Sequence, residues 1–170
     1  NQVMALVRTS VNQVANAASQ RAYEANQDVT QRYRYVATLD GKTSAICRAL
    51  DGRVFEYGKG PTPPQHFNCR STTVPIINYE ALGIEPPPEG RRKATEGTVP
   101  GNLTYGQWLS RQSKADQTKI LGNSPRRAAY FRKLSNKMGP TEAMRRFVRE
   151  DGSEVTLDYL RENYGNVRTQ

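Results

Sequence analysis

The chain has 170 residues, a hydrophobic content of 36% and a mean hydropathy of −0.78, so it can bury a modest core and no apolar run reaches the roughly 18 residues of a membrane helix. Two cysteines, Cys47 and Cys69, are too few for a disulfide framework. The net charge of +9 is uneven: residues 1–90 hold nine Lys and Arg against eight Asp and Glu, and residues 91–170 hold sixteen against eight. That asymmetry points to an acidic partner of the second half, either nucleic acid or an acidic protein surface. The other reading is a solvated basic face. No helix-turn-helix, zinc-finger or RNA-recognition signature is present, so sequence-specific reading is not expected.

Residues 1–27 read as a helix. Val3, Val7, Val11, Val14, Ala18, Ala22 and Ala25 recur at spacings of four and three, a narrow apolar seam on a polar, weakly charged cylinder. The seam is expected to lie on the helix's own domain; the alternative is packing against a neighbouring subunit. Arg32 to Thr38 alternates polar and aromatic residues, as a half-buried strand does. Asp40-Gly41 is a turn, and Thr43 or Ser44 can cap a short helix through Leu50. Asp51-Gly52 is a second turn, and Arg53 to Tyr57 a second strand. Residues 58–64 hold two glycines and three prolines and must form a loop. Thr72 to Ile77 is β-branched and interrupted by Pro75, which suits an edge strand.

Residues 85–103, with Pro86-Pro87-Pro88 and Arg91-Arg92-Lys93, read as a basic linker or extended arm. Helical pieces follow: one capped by Thr104, one by Ser113 and ended at Gly122, and one opened by Ser124-Pro125. A further piece spans Thr141 to Val148, and the last is capped by Thr156 and ended by Gly165. The expected class is α+β. An N-terminal helix and small antiparallel sheet fill a domain of residues 1–84, with the helix at 1–27 and the sheet at 32–78. The linker of 85–103 and a basic helical region of 104–170 follow.

The chemistry-bearing stretch is Asp40 to Arg70. His66 and Cys69 form a His-x-x-Cys pair that one turn can bring together. Cys47 supplies a second thiol, and Asp40 or a water is the candidate fourth ligand of a structural zinc. A zinc here would clip a proline-rich loop onto a sheet with little core of its own. Buried unliganded thiols, a Cys47–Cys69 disulfide, and a Cys69 nucleophile with His66 as base stay open. Arg70 would lower the pKa of the adjacent thiol, or equally donate to Asp40 or Asp51. No phosphate-binding glycine loop or acid/base carboxylate pair is evident. Candidate nucleic-acid contacts are Arg91, Arg92 and Lys93; Arg126, Arg127, Arg132 and Lys133; and Arg145, Arg146 and Arg149.

Residues 35–52, with Asp40-Gly41-Lys42-Thr43, Cys47 and Asp51-Gly52, resemble the phage Mu F-like minor head protein (head-morphogenesis) family. So do residues 60–75, with Pro63-Pro64-Gln65-His66-Phe67-Asn68-Cys69-Arg70 and a β-branched run to Pro75. Ser71 stands where many members have a second cysteine. Residues 104–112, 120–122, 147–148 and 156–160 resemble the tail of such proteins. Members are longer at the N-terminus, and a chain starting at Asn1 rather than Met is expected to be processed or part of something longer. The resemblance implies a low-copy structural protein, not an enzyme, made in the host cytoplasm and placed in the virion head. Its implied partners are the portal or major capsid protein and double-stranded DNA bound without sequence preference, with no membrane. The competing readings are a metal-dependent hydrolase or nuclease using the Cys/His cluster, and a nucleic-acid-binding protein outside the virion.

Overall fold

A computed structural model describes residues 2–169. The elements run α1 (Gln2–Glu24), β1 (Thr30–Val36), α2 (Ala45–Leu50), β2 (Val54–Glu56), β3 (Thr72–Ile77), α3 (Tyr79–Leu82), β4 (Arg91–Ala94), β5 (Gly97–Pro100), α4 (Tyr105–Ser110), α5 (Lys114–Ile120), α6 (Pro125–Met138), α7 (Pro140–Arg145) and α8 (Leu157–Tyr164). The mixed helix-and-sheet class is the one read from the sequence. The chain forms two compact units, one of Asn1–Thr38 and Leu50–Asn102, the other of Leu39–Ala49 and Leu103–Gln170.

The first unit is built on an antiparallel sheet of order β2-β1-β3. Alternation along β1 buries Tyr33 and Tyr35 completely, while Gln31 and Arg32 stay exposed. Tyr33 faces Phe55 on β2 and Pro75 on β3. Its ring also stacks on Tyr57, with centroids 5.8 Å apart. Pro75 lies on an edge strand, where a missing N–H costs least.

Helix α1 packs on β3 with the opposite face to the one expected. Val3, Val7, Val11 and Val14 are exposed, at 68%, 48%, 65% and 69%. The inward positions are Thr9, Asn12, Asn16, Gln20 and Tyr23, which also recur at spacings of three and four but are polar. The edge strand is the reason. Asn12 Nδ2 donates to the Ser71 carbonyl (3.1 Å), Gln20 Nε2 to Thr73 Oγ1 (2.9 Å) and the Tyr23 hydroxyl to the Thr73 carbonyl (3.3 Å). Thr72 Oγ1 donates to Asn16 Oδ1 at 3.3 Å. An edge presents backbone groups that need partners, and an apolar helix face would leave them unsatisfied. The helix ends at Glu24 rather than residue 27, and position 1 of the expected range lies outside the described residues.

Residues 85–103, read as a linker or extended arm, contain two strands, and a short helix precedes them. Asn78 caps the short α3, and β4 and β5 pair as an antiparallel hairpin. Arg92 on β4 reaches Asp51: Nη2 lies 2.7 Å from Oδ1 and Nη1 3.2 Å from Oδ2. Asp51 Oδ1 also accepts the Ala37 N–H at 2.7 Å, and Arg92 donates to the Ala37 carbonyl. The hairpin is thereby tied to the end of β1 and the Asp51-Gly52 turn.

The second unit is helical and follows its caps. Thr104, Ser113, Ser124 and Thr156 accept the N–H of Gln107, Asp116, Arg127 and Tyr159, three residues on in each case. Gln107 answers Thr104 to close a capping box. Trp108, Leu109, Phe131, Leu134, Met144, Phe147 and Leu160 are all 2% exposed or less and form the core. Gly106 is required where α4 meets α7: a Cβ there would stand 2.1 Å from the Pro140 carbonyl oxygen. α6 ends at Met138, and Pro140 opens α7 at its first position.

Candidate functional site

Cys47 lies on α2. Ser44 starts that helix: its hydroxyl faces the Cys47 N–H at 3.5 Å, and its carbonyl accepts from Arg48 N–H at 3.0 Å. Cys47 is 1% exposed. His66 and Cys69 are the first and fourth residues of a tight turn closed by Cys69 N–H to the His66 carbonyl at 3.2 Å. Asn68 takes the left-handed position of that turn at φ 57°, a conformation asparagine tolerates better than most residues. Its N–H donates to Thr9 Oγ1 on α1 at 2.9 Å, which anchors the turn. Upstream, Gln65 Nε2 donates to the Thr62 carbonyl at 2.6 Å, and the Pro63–Pro64 bond is cis.

One ligand atom each from Cys47, His66 and Cys69 lies within 4.8 Å of the others. His66 Nδ1 lies 2.7 Å from the Phe67 carbonyl oxygen. Both cysteines are buried and unbridged. Asp40 is not in this group. Its Oδ1 accepts from Lys42 N–H (2.9 Å) and Thr43 Oγ1 (3.2 Å), and its carbonyl accepts the Tyr105 hydroxyl at 2.7 Å. The Asp40 carboxylate organises the turn before α2.

The basic candidates divide by what already holds them. Arg92 has a side chain only 9% exposed and is committed to Asp51, so it is not on a phosphate-facing surface. Arg127 donates to Glu154 (3.0 Å) and the Val155 carbonyl, with its guanidinium over Phe147. Arg132 donates to Gln117 Oε1 at 3.1 Å, and Lys133 to the carbonyls of Tyr164 and Asn166. Arg91 donates to the Thr98 carbonyl at 2.7 Å. Lys93 and Arg126 are exposed. Arg145, Arg146 and Arg149 line a depression of about 570 Å³ that also takes in Glu150, Asp151 and Tyr159. Glu142 balances two of these arginines, at 3.3 Å from Arg145 and 2.8 Å from Arg146. The sequence could not separate these roles, because the partners of Arg92, Arg127, Arg132 and Lys133 lie 15 to 41 residues away.

A helix-backed antiparallel sheet, with a histidine and a cysteine on one tight turn, defines a small α+β module. Residues 1–74 match the family model described as phage Mu protein F like protein. Over those residues, less than half of the chain, the sequence is similar to that family. No curated protein and no solved structure matches the chain. Among the described residues, no helix is long and apolar enough to cross a membrane.

Proposed function

We propose that the chain is a structural component of a phage head, in which the Mu F-like module is clipped by a zinc ion and the helical second unit meets an acidic partner. The family match over residues 1–74 carries this reading. The portal or the major capsid protein is the protein partner, and packaged double-stranded DNA is bound through phosphates without sequence preference. The excess of sixteen basic over eight acidic residues after residue 90 supports the DNA contact. Cys47, His66 and Cys69 would hold the zinc, with water or an external group as fourth ligand. A closed site of this kind contributes folding energy to a loop of prolines and glycines that has few apolar contacts of its own.

Complementation tests the proposal. A phage lacking this chain is expected to yield defective heads, and wild-type chain supplied in trans restores them. Chains with His66→Ala or Cys69→Ala restore them poorly, in proportion to their loss of folded protein. If such variants stayed fully folded and metal-loaded yet lost a hydrolytic or nuclease turnover present in the wild type, the structural reading would be wrong.

A further inference from the structure

We propose that the open face of the β2-β1-β3 sheet docks a protein partner that brings a carboxylate to Arg34 and aliphatic side chains to the valines beside it. Alternation along β1 sets the two faces apart. Tyr33 and Tyr35 are buried on one, so Arg32, Arg34 and Val36 project from the other. The register puts Arg34 between Val54 on β2 and Val74 on β3, and Arg32 between Glu56 and Ile76. Val54 and Val74 are exposed, and so are Arg32, Glu56 and Thr72. The sheet is therefore uncovered around Arg34.

Charge and apolar surface together choose the occupant. Arg34 is half-buried, and no carboxylate among the described residues pairs with its guanidinium. Arg32 differs, because Glu56 stands directly across from it. The unbalanced charge at the centre of the face is thus Arg34, and a carboxylate offers the two-oxygen geometry that a guanidinium binds best. The valines choose protein over nucleic acid. Aliphatic side chains on both sides of the arginine gain from burial against apolar groups, which a phosphate backbone does not supply. The face also carries no aromatic ring on which a base could stack, and Glu56 would repel phosphates.

Nuclear magnetic resonance on the isotope-labelled full chain tests this with two peptides, one alternating valine with glutamate and one alternating valine with lysine. The glutamate peptide is expected to shift the Arg34 Nε–H and the Val54 and Val74 methyl signals, and the lysine peptide to leave them in place. Arg34→Gln should weaken binding of the glutamate peptide about tenfold. Arg34→Glu should reverse the preference between the two peptides. Arg34 points away from the buried tyrosines, so both variants are expected to melt as the wild type does. The wild-type comparison of the two peptides stands even if a variant does not fold. No shift at these residues up to about 1 mM glutamate peptide overturns the proposal. So does an equal response to both peptides, or a DNA duplex that shifts Arg34 as strongly as the glutamate peptide. Shifts that grow with chain concentration alone would mark a contact between copies and overturn it too. None of these outcomes bears on the place of the chain in a phage head, which particle composition tests separately.

Discussion

Arg92 and Asp51 form a buried ion pair, with Nη2 and Oδ1 2.7 Å apart and side chains 9% and 0% exposed. Asp51 also holds the Ala37 N–H and Arg92 donates to the Ala37 carbonyl, so the pair is satisfied by backbone on both sides. Breaking such a pair from one side strands a buried charge and costs about 3–5 kcal/mol. Asp51→Asn or Arg92→Met is therefore expected to destabilise the first unit by that order. Urea unfolding followed at tyrosine fluorescence measures it. A loss under about 1 kcal/mol would mean that the hairpin is not tied to the sheet through this pair.

The same placement predicts how DNA binding divides among the arginines. Arg126→Ala and Lys93→Ala remove exposed charges, and each should lower the slope of log K against log salt by about one. Arg92→Met should change stability and leave that slope alone. Fluorescence anisotropy with a duplex at several salt concentrations separates the two outcomes. Binding that does not weaken with salt would contradict phosphate contact altogether.

The turn that carries His66 and Cys69 depends on Asn68 at φ 57°. Asn68→Gly should leave stability and zinc uptake close to wild type. Asn68→Val places a β-branched residue in the left-handed region at a cost of about 1–2 kcal/mol or more. Reduced zinc stoichiometry in the valine variant alone, by atomic absorption, is the expected outcome. Equal uptake in both would show that the turn geometry does not set the ligand spacing.

Burial pushes the Tyr33 phenol up to about 12 from its ordinary value of 10.0. Its hydroxyl donates to the Pro61 carbonyl at 3.2 Å. The folded chain then holds this proton at pH values where the unfolded chain has released it. Stability from this group is intact below about pH 10 and falls as pH rises toward 12. Tyr33→Phe removes that part of the alkaline loss, and thermal melts at pH 8 and pH 11 on both proteins check it.

Local rules made much of the second unit legible. Thr104, Ser113, Ser124 and Thr156 each announced a helix start through a side chain that caps three residues ahead. The three strands at 30–36, 54–56 and 72–77 were equally visible from alternation and from Pro75. What failed was non-local. The seam of α1 predicted an inward apolar face, but the unpaired groups of β3, some sixty residues on, drew in Asn12, Asn16 and Gln20 instead. Likewise the run Arg91-Arg92-Lys93 looked uniform until Asp51 claimed its middle member. At the site, the His-x-x-Cys spacing was readable because one turn creates it. Asp40 bonds its own turn, because a carboxylate two residues before an N–H meets that donor first.

Quantitative mass spectrometry of gradient-purified particles tests the proposed place of this chain in a phage head. The chain is expected in full heads, at low copy number relative to the major capsid protein, and retained after washing that strips surface-bound proteins. Absence from purified particles, with the chain found only in the lysate, would contradict it.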